Sequence, residues 1–262
     1  MMIKFILMAA VRAIVSPEGR KAKVLPLRSL VALPGVFDLV SLMLQVRDLS
    51  RVAKIRDGYA VKSPHHRDVH DYNAEVTQTK LITTTRRVER YYDMLALPAR
   101  DLSGDRLLIV GPRNVHELLI AWTRGYTWNL IEAIDLYSTN AKIAVMNMEE
   151  MSYEDARFDA VALANTLSYA NDTRTALTEV ARVLKPGGRC SFSATYDPDG
   201  SRWKEDAVSG DEIAKMLHES GFEIVIHFAG DKINSQGRMQ TSHHFSARRM
   251  TVEESRHDPF AL

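Results

Sequence analysis

From Asp105 onward, short apolar runs take turns with amphipathic stretches. Residues 106–110 form a nearly continuous apolar run, the pattern of a parallel strand covered on both faces. Residues 115–124 then carry helical spacing, and residues 129–134 predict a second strand that ends at Asp135. A short third strand is predicted over 142–146 and a fourth over 158–164. Asp172 stands as the cap of a helix over 173–184, with Glu179 inside it. Gly187 and Gly188 are expected to stop that helix and turn the chain into a fifth strand over 189–195. A further helix over 211–220 ends at Gly221. Strands over 223–228 and 241–248 follow, joined by a polar loop that contains Gly230 and Gly237. Strands alternating with helices imply a parallel sheet with right-handed crossovers. The last two strands have no helix between them, which predicts an antiparallel edge pair.

The first hundred residues read differently. They are rich in Arg and apolar residues, their periodicity is helical, and Pro17, Pro26, Pro34 and Pro64 punctuate them. Residues 36–44 predict a buried helix and residues 77–97 a longer one, with Tyr91 and Tyr92 near its end. A linker over 98–104 leads into the sheet. The expected organisation is therefore a mainly helical N-terminal extension or cap (1–100), an α/β domain (101–250) and a C-terminal tail (251–262). The opening segment, Met1 to Val11, pairs Lys4 with a short apolar run that Arg12 ends. It falls well below the ~20 apolar residues of a spanning helix, and no clean small-residue cleavage site follows. It reads as an apolar helix packed on the body or on a second subunit, which would make a homodimer through the N-terminal helices. No integral membrane insertion is expected.

Composition narrows the partners. The 34 Lys and Arg nearly balance 33 Asp and Glu, so no global field invites nucleic acid. The single cysteine, Cys190, excludes an internal disulfide and a cysteine-based zinc site, and fits a reducing, cytoplasmic setting.

Candidate chemistry gathers where the predicted strands end. Residues 107–111, Leu-Leu-Ile-Val-Gly, read as strand and turn; after a helix comes a strand tipped by Asp135. This is the layout of a nucleotide-type cofactor site on an open sheet, with the ligand beyond the carboxyl ends of the strands and a carboxylate for its ribose. Three segments resemble the class I S-adenosylmethionine-dependent methyltransferases, in order and at suitable spacing. Ile134-Asp135-Leu136 is similar to the end of that family's second strand, whose acidic residue binds both ribose hydroxyls. Phe158-Asp159-Ala160-Val161 is similar to its fourth strand. Residues 176–188, ending Arg182-Val183-Leu184-Lys185-Pro186-Gly187-Gly188, resemble the helix and glycine turn after that strand, the most specific of the three. The resemblance covers roughly residues 107–248. It implies a Rossmann-like seven-stranded methyltransferase sheet with helices on both faces, S-adenosyl-L-methionine as cofactor, and methyl transfer to a small molecule.

One segment departs from that pattern. Ile109 occupies the family's acidic position in the first strand, and only Gly111 remains of the glycine loop. The sequence Gly111-Pro112-Arg113-Asn114 resembles a divergent group in which Arg113 pairs with the methionyl carboxylate, a task that suits a guanidinium. The resemblance further implies a cofactor site of Gly111, Pro112, Arg113, Asp135 and Leu136, with Asn147 facing the adenine amino group and Met148 against the adenine face. Asn165 and Thr166 flank the methyl-donor end, chiefly through backbone groups. Tyr169, where many small-molecule members carry a His, orients the acceptor, acts as a weak base, or simply lines the pocket. The Asn-Pro-Pro-Tyr signature of adenine and glutamine N-methylation is absent from the sequence. The acceptor expected by default is a metabolite, sugar or lipid precursor methylated on O or N. A catalytically silent binding or scaffold protein is the alternative that the eroded loop permits.

Three other features read as structural. His65, His66 and His70 lie in a segment whose Asp and Pro mark a polar loop, so no metal is expected. His243 and His244 are adjacent in a predicted strand and point to opposite faces. Residues 196–200 form a turn on the ligand side of the sheet.

Overall fold

The structure is a computed structural model, and it describes residues 27–52, 71, 75, 88–97, 101–112, 114–138, 140–196, 209–233, 237, 239–251, 253 and 254. In chain order the elements are α1 (Val36–Val52), α2 (Glu89–Ala96), β1 (Leu107–Val110), α3 (Val115–Thr123), β2 (Ile131–Asp135), β3 (Ile143–Val145), β4 (Phe158–Leu163), α4 (Thr173–Val183), β5 (Leu184–Tyr196), α5 (Gly210–Glu219), β6 (Phe222–Ile233) and β7 (Met239–Arg249). The strands form one seven-stranded sheet in the order β3-β2-β1-β4-β5-β7-β6. The pairs among β1 to β5 are parallel, whereas β7 is antiparallel to both β5 and β6.

Side-chain alternation along the central strands builds two apolar layers. Leu107, Ile109, Ala160 and Ala162 belong to a cluster with the buried residues of α1, α2 and α3. Leu108, Val110, Val161 and Leu163 belong to a second cluster with α4 and α5. Because both faces are covered, these strands are apolar almost throughout, the composition seen in the sequence. The helices before residue 100 thus share a core with β1. Tyr91, Tyr92 and Leu95 are buried in it, and the Tyr92 hydroxyl donates to Glu117 Oε2 of α3 at 3.1 Å. Burial, and then the Glu117 charge, push the Tyr92 hydroxyl pKa well up, so it stays a donor.

Several boundaries differ from the sequence expectation, each for a local reason. The first helix runs on to Val52 instead of ending at Leu44. The glycines do not end α4; Leu184 is already extended, and its N–H closes the last turn on the carbonyl of Val180. Residues 185–188 instead form a bulge between the pairs Phe158–Leu184 and Ala160–Arg189. Gly187 takes a positive φ of 76° there. A Cβ on Gly188 would stand 2.8 Å from the carbonyl oxygen of Lys185, a crowding only glycine avoids. Strands β6 and β7 are longer than expected, so Gly230 lies within β6; they form the expected antiparallel pair at one edge, with β6 outermost. Of the longer helix expected over 77–97, residues 89–96 form α2 and residues 76–87 lie outside the described residues. No helix among the described residues is long and apolar enough to cross a membrane.

Candidate functional site

The parallel strands β1 to β4 end on one side, and four connections meet there. The first is the turn after β1. Gly111 has φ +72°, and its N–H donates to the Ile134 carbonyl at 2.8 Å, tying the turn to β2. A Cβ at this position would stand 2.4 Å from Thr166 Cγ2 and 2.5 Å from Thr166 Oγ1. Glycine is therefore required twice over, by the left-handed backbone and by the close approach of Thr166. The Thr166 hydroxyl lies 3.0 Å from the Val110 carbonyl and 3.1 Å from that of Ala164 and donates its one proton between them. This threonine buttresses a turn that has lost its later glycines, a contact the sequence alone could not reveal. Pro112 is buried beside it. Asn114 caps α3, its Oδ1 accepting the His116 N–H at 2.9 Å. Arg113 lies outside the described residues.

The second connection is the tip of β2. Asp135 is only 7% exposed, faces Val145 of β3 in the register, and accepts the Met146 N–H at its carbonyl, 3.0 Å away. Its Oδ1 also receives the Tyr137 N–H at 3.4 Å. Leu136 follows at the bend, half-buried. The third connection follows β3. Asn147 is buried and its Oδ1 accepts the Glu149 N–H at 3.0 Å, so this oxygen holds its own turn. Met148 is buried in the apolar layer beneath α4.

The fourth connection follows β4, where Asn165 takes φ +55°, a left-handed conformation that asparagine tolerates better than most residues. Its Oδ1 accepts from the Tyr91 hydroxyl at 3.3 Å and from the Ser193 hydroxyl at 3.0 Å. Tyr91 also lies 3.1 Å from His244 Nδ1, and His244 Nε2 lies 3.4 Å from Arg90 Nη1. Helix α2, strand β7 and the loop after β4 are thereby joined at one buried point. Sequence reasoning placed Tyr91 only near a helix end and His244 only on one strand face. The alternation of His243 and His244 does appear: His244 meets Tyr91, while His243 lies 3.2 Å from His227 Nε2 on the other face. Tyr169 closes a short 3-10 turn, Leu167–Tyr169, and its N–H donates to Thr166 O at 2.9 Å.

Gly111, Asp135, Asn165, Thr166 and Tyr169 therefore sit where the parallel strands end, on one side of the sheet. The cluster over 65–70 and the turn over 197–200 lie outside the described residues. Among the described residues no group of three or more His, Cys, Asp or Glu is placed to hold a metal.

Residues 127–192, which run from just before β2 into β5, match the family model of the methyltransferase domain. Over this segment the chain is similar to that domain family. In fold, a geranyl diphosphate C-methyltransferase from Streptomyces coelicolor superposes with a TM-score of 0.56 at 14% identity, over 73% of this chain and 100% of that one. Among curated relatives, an O-methyltransferase of Aspergillus nomiae is 30% identical over 106 residues, 34% of this chain and 47% of its own length. The 27-O-demethylrifamycin SV methyltransferase of Amycolatopsis mediterranei is 27% identical over 191 residues, 59% of this chain and 65% of its own length. The matches thus span from about half to two thirds of these two relatives. The likeness in fold covers the parallel strands and the antiparallel β7. It leaves the shape of the first turn, with its single glycine, to this chain's own residues.

Proposed function

We propose that this chain binds S-adenosyl-L-methionine and transfers its methyl group to an oxygen of a small molecule. The observation that carries the reading is the buried carboxylate of Asp135 at the tip of β2, next to the Gly111 turn that is hydrogen-bonded to the same strand. A carboxylate is an acceptor-only group with room to receive both hydroxyls of a vicinal diol. The residues fit an adenosyl ligand. Gly111 supplies a close backbone approach, Asp135 holds the ribose, and Leu136 and Asn147 flank the adenine. The bound cofactor supplies a methyl group on a sulfonium, already a strong electrophile. The protein's own task is to position the acceptor in line with it, and positioning can supply a large part of the acceleration.

Oxygen is favoured over nitrogen because several of the similar proteins are named as O-methyltransferases. A phenol-type hydroxyl, ionising near pH 10 in its free form, needs only modest help to lose its proton. Tyr169, half-buried next to the loop after β4, lines the acceptor side and orients that hydroxyl. Helix α2 reaches this side, since its Tyr91 donates to Asn165 directly.

The test is calorimetry with S-adenosylhomocysteine, followed by transfer of a labelled methyl group from the cofactor into a metabolite extract read by mass spectrometry. Binding at micromolar ligand and a labelled small product are expected. No heat at millimolar S-adenosylhomocysteine overturns the reading.

A further inference from the structure

The hydrogen bonds around Asn165 have a fixed direction, and that direction assigns a role to residues far from the motifs. A guanidinium can only donate, so Arg90 Nη1 donates to His244 Nε2. The neutral imidazole then carries its proton on Nδ1 and donates to the Tyr91 oxygen, 3.1 Å away. Tyr91 has one proton, and it goes to Asn165 Oδ1, which also receives the Ser193 hydroxyl. The opposite direction would set Arg90 and a protonated Nε2 donor to donor. Both lone pairs of Oδ1 are therefore taken, and the side-chain orientation of Asn165 is set: its amide nitrogen, a double donor, is the end left for a ligand. Among the described residues that nitrogen has no protein acceptor, and Asn165 is half-exposed at the carboxyl end of β4.

We propose that Arg90, His244 and Tyr91 form a positioning relay that presents the Asn165 amide as a hydrogen-bond donor to an anionic oxygen of the bound cofactor, its amino-acid carboxylate. The assignment rests on the proposed cofactor binding. The loop that carries Asn165 is already pressed onto the donor turn, because the next residue, Thr166, packs against Gly111 and donates toward Val110 O. A neutral amide donor, its oxygen held by two hydroxyls, can hydrogen-bond a carboxylate without adding a further charge at the site. Tyr91 and His244 do not touch the ligand; they act through Asn165. A helix of the N-terminal region and a strand near the sheet edge thus share control of the cofactor's methionyl end.

The experiment compares two ligands on the full chain by calorimetry: S-adenosylhomocysteine, which has the carboxylate, and 5′-methylthioadenosine, which lacks the amino acid. Asn165→Asp keeps the acceptor oxygen for Tyr91 and Ser193 but replaces the donor with a negative charge. It is expected to weaken S-adenosylhomocysteine by about tenfold or more, the value of a hydrogen bond to a charged group, and to leave 5′-methylthioadenosine nearly unchanged. Tyr91→Phe, which frees the amide to turn, should show the same selective loss, about threefold to tenfold. Equal weakening of both ligands would mark Asn165 as merely structural and overturn the proposal, as would unchanged binding of S-adenosylhomocysteine in both variants. If the unmodified chain binds neither ligand, the cofactor assignment itself fails, and the relay with it.

Discussion

Replacing Gly111 with alanine tests whether Thr166 takes over the work of the missing glycines. Two costs add. At φ +72° an alanine pays the left-handed penalty, about 1–2 kcal/mol. Its Cβ would also fall 2.4 Å from Thr166 Cγ2 and 2.5 Å from Oγ1, distances that real Cβ contacts do not reach, so Thr166 must turn away. Turning away gives up the hydrogen bond that Thr166 shares between the carbonyls of Val110 and Ala164, a net loss of about 0.5–1.5 kcal/mol. Gly111→Ala alone should therefore destabilise by about 1.5–3.5 kcal/mol. In a Thr166→Ala background the two closest atoms are gone, the remaining Cβ at 3.0 Å needs only a small shift, and little more than the backbone penalty of about 1–2 kcal/mol should remain. Urea denaturation of the four proteins of the cycle, at constant m, gives the coupling directly. A coupling near 1 kcal/mol in favour of the double variant is expected. If Gly111→Ala costs the same in both backgrounds, the buttress is wrong and the turn is held by other contacts.

Other predictions follow from the site and the core. Asp135→Ala should weaken S-adenosylhomocysteine binding by about tenfold to a hundredfold in calorimetry, with little change in thermal stability; an unchanged affinity removes Asp135 from the site. Glu179 accepts the Met151 N–H at 2.9 Å and Arg182 at 2.7 and 2.8 Å, and Arg182 in turn donates to the carbonyls of Met151 and Tyr153. Arg182's hydrogen bond first, then the Met151 N–H, hold the Glu179 carboxyl below its ordinary value of 4.5. Its folded pKa is depressed, so its contribution is complete above that ordinary value and is lost as the pH falls through the lower folded one. Glu179→Gln should then cost about 1–3 kcal/mol near pH 7, and the gap to the unmodified protein should narrow below about pH 4.5; a gap that stays constant with pH contradicts the clamp. Burial pushes the Cys190 thiol up to about 12, so a thiol reagent should label it only at the rate of unfolding, and fast labelling of the native chain would show that β5 is open.

Much of this fold was legible because the sheet is covered on both sides. Continuous apolar runs marked β1 and β4, and capping chemistry marked α4 at Asp172, whose side chain accepts from the N–H groups of Arg174 and Thr175. The boundary after α4 was misread because two adjacent glycines look like a helix stop, while here they shape a bulge fixed by Lys185 Nζ on Asp159 Oδ1 at 2.7 Å. The placement of β7 between β5 and β6 is a long-range choice that hairpin logic does not contain. At the site, Gly111 was readable because a left-handed turn demands glycine, and Asp135 stood out as a carboxylate at a strand tip. Thr166 was only a name in a loop until β1 and β4 lay side by side. The link from Tyr91 to His244 spans 153 positions in the chain and has no local signature at all. Contacts of that range are set by packing, and one sequence does not encode them in any short window.

The most direct measurement is a crystal structure of the full chain with S-adenosylhomocysteine. The account predicts the ribose hydroxyls within about 2.5–3.0 Å of the Asp135 carboxylate oxygens. It also predicts the ligand's carboxylate on the Asn165 side of the Gly111 turn. A ligand bound away from the tip of β2, or a cleft filled by Pro112 and its neighbours with no ligand at all, would contradict it.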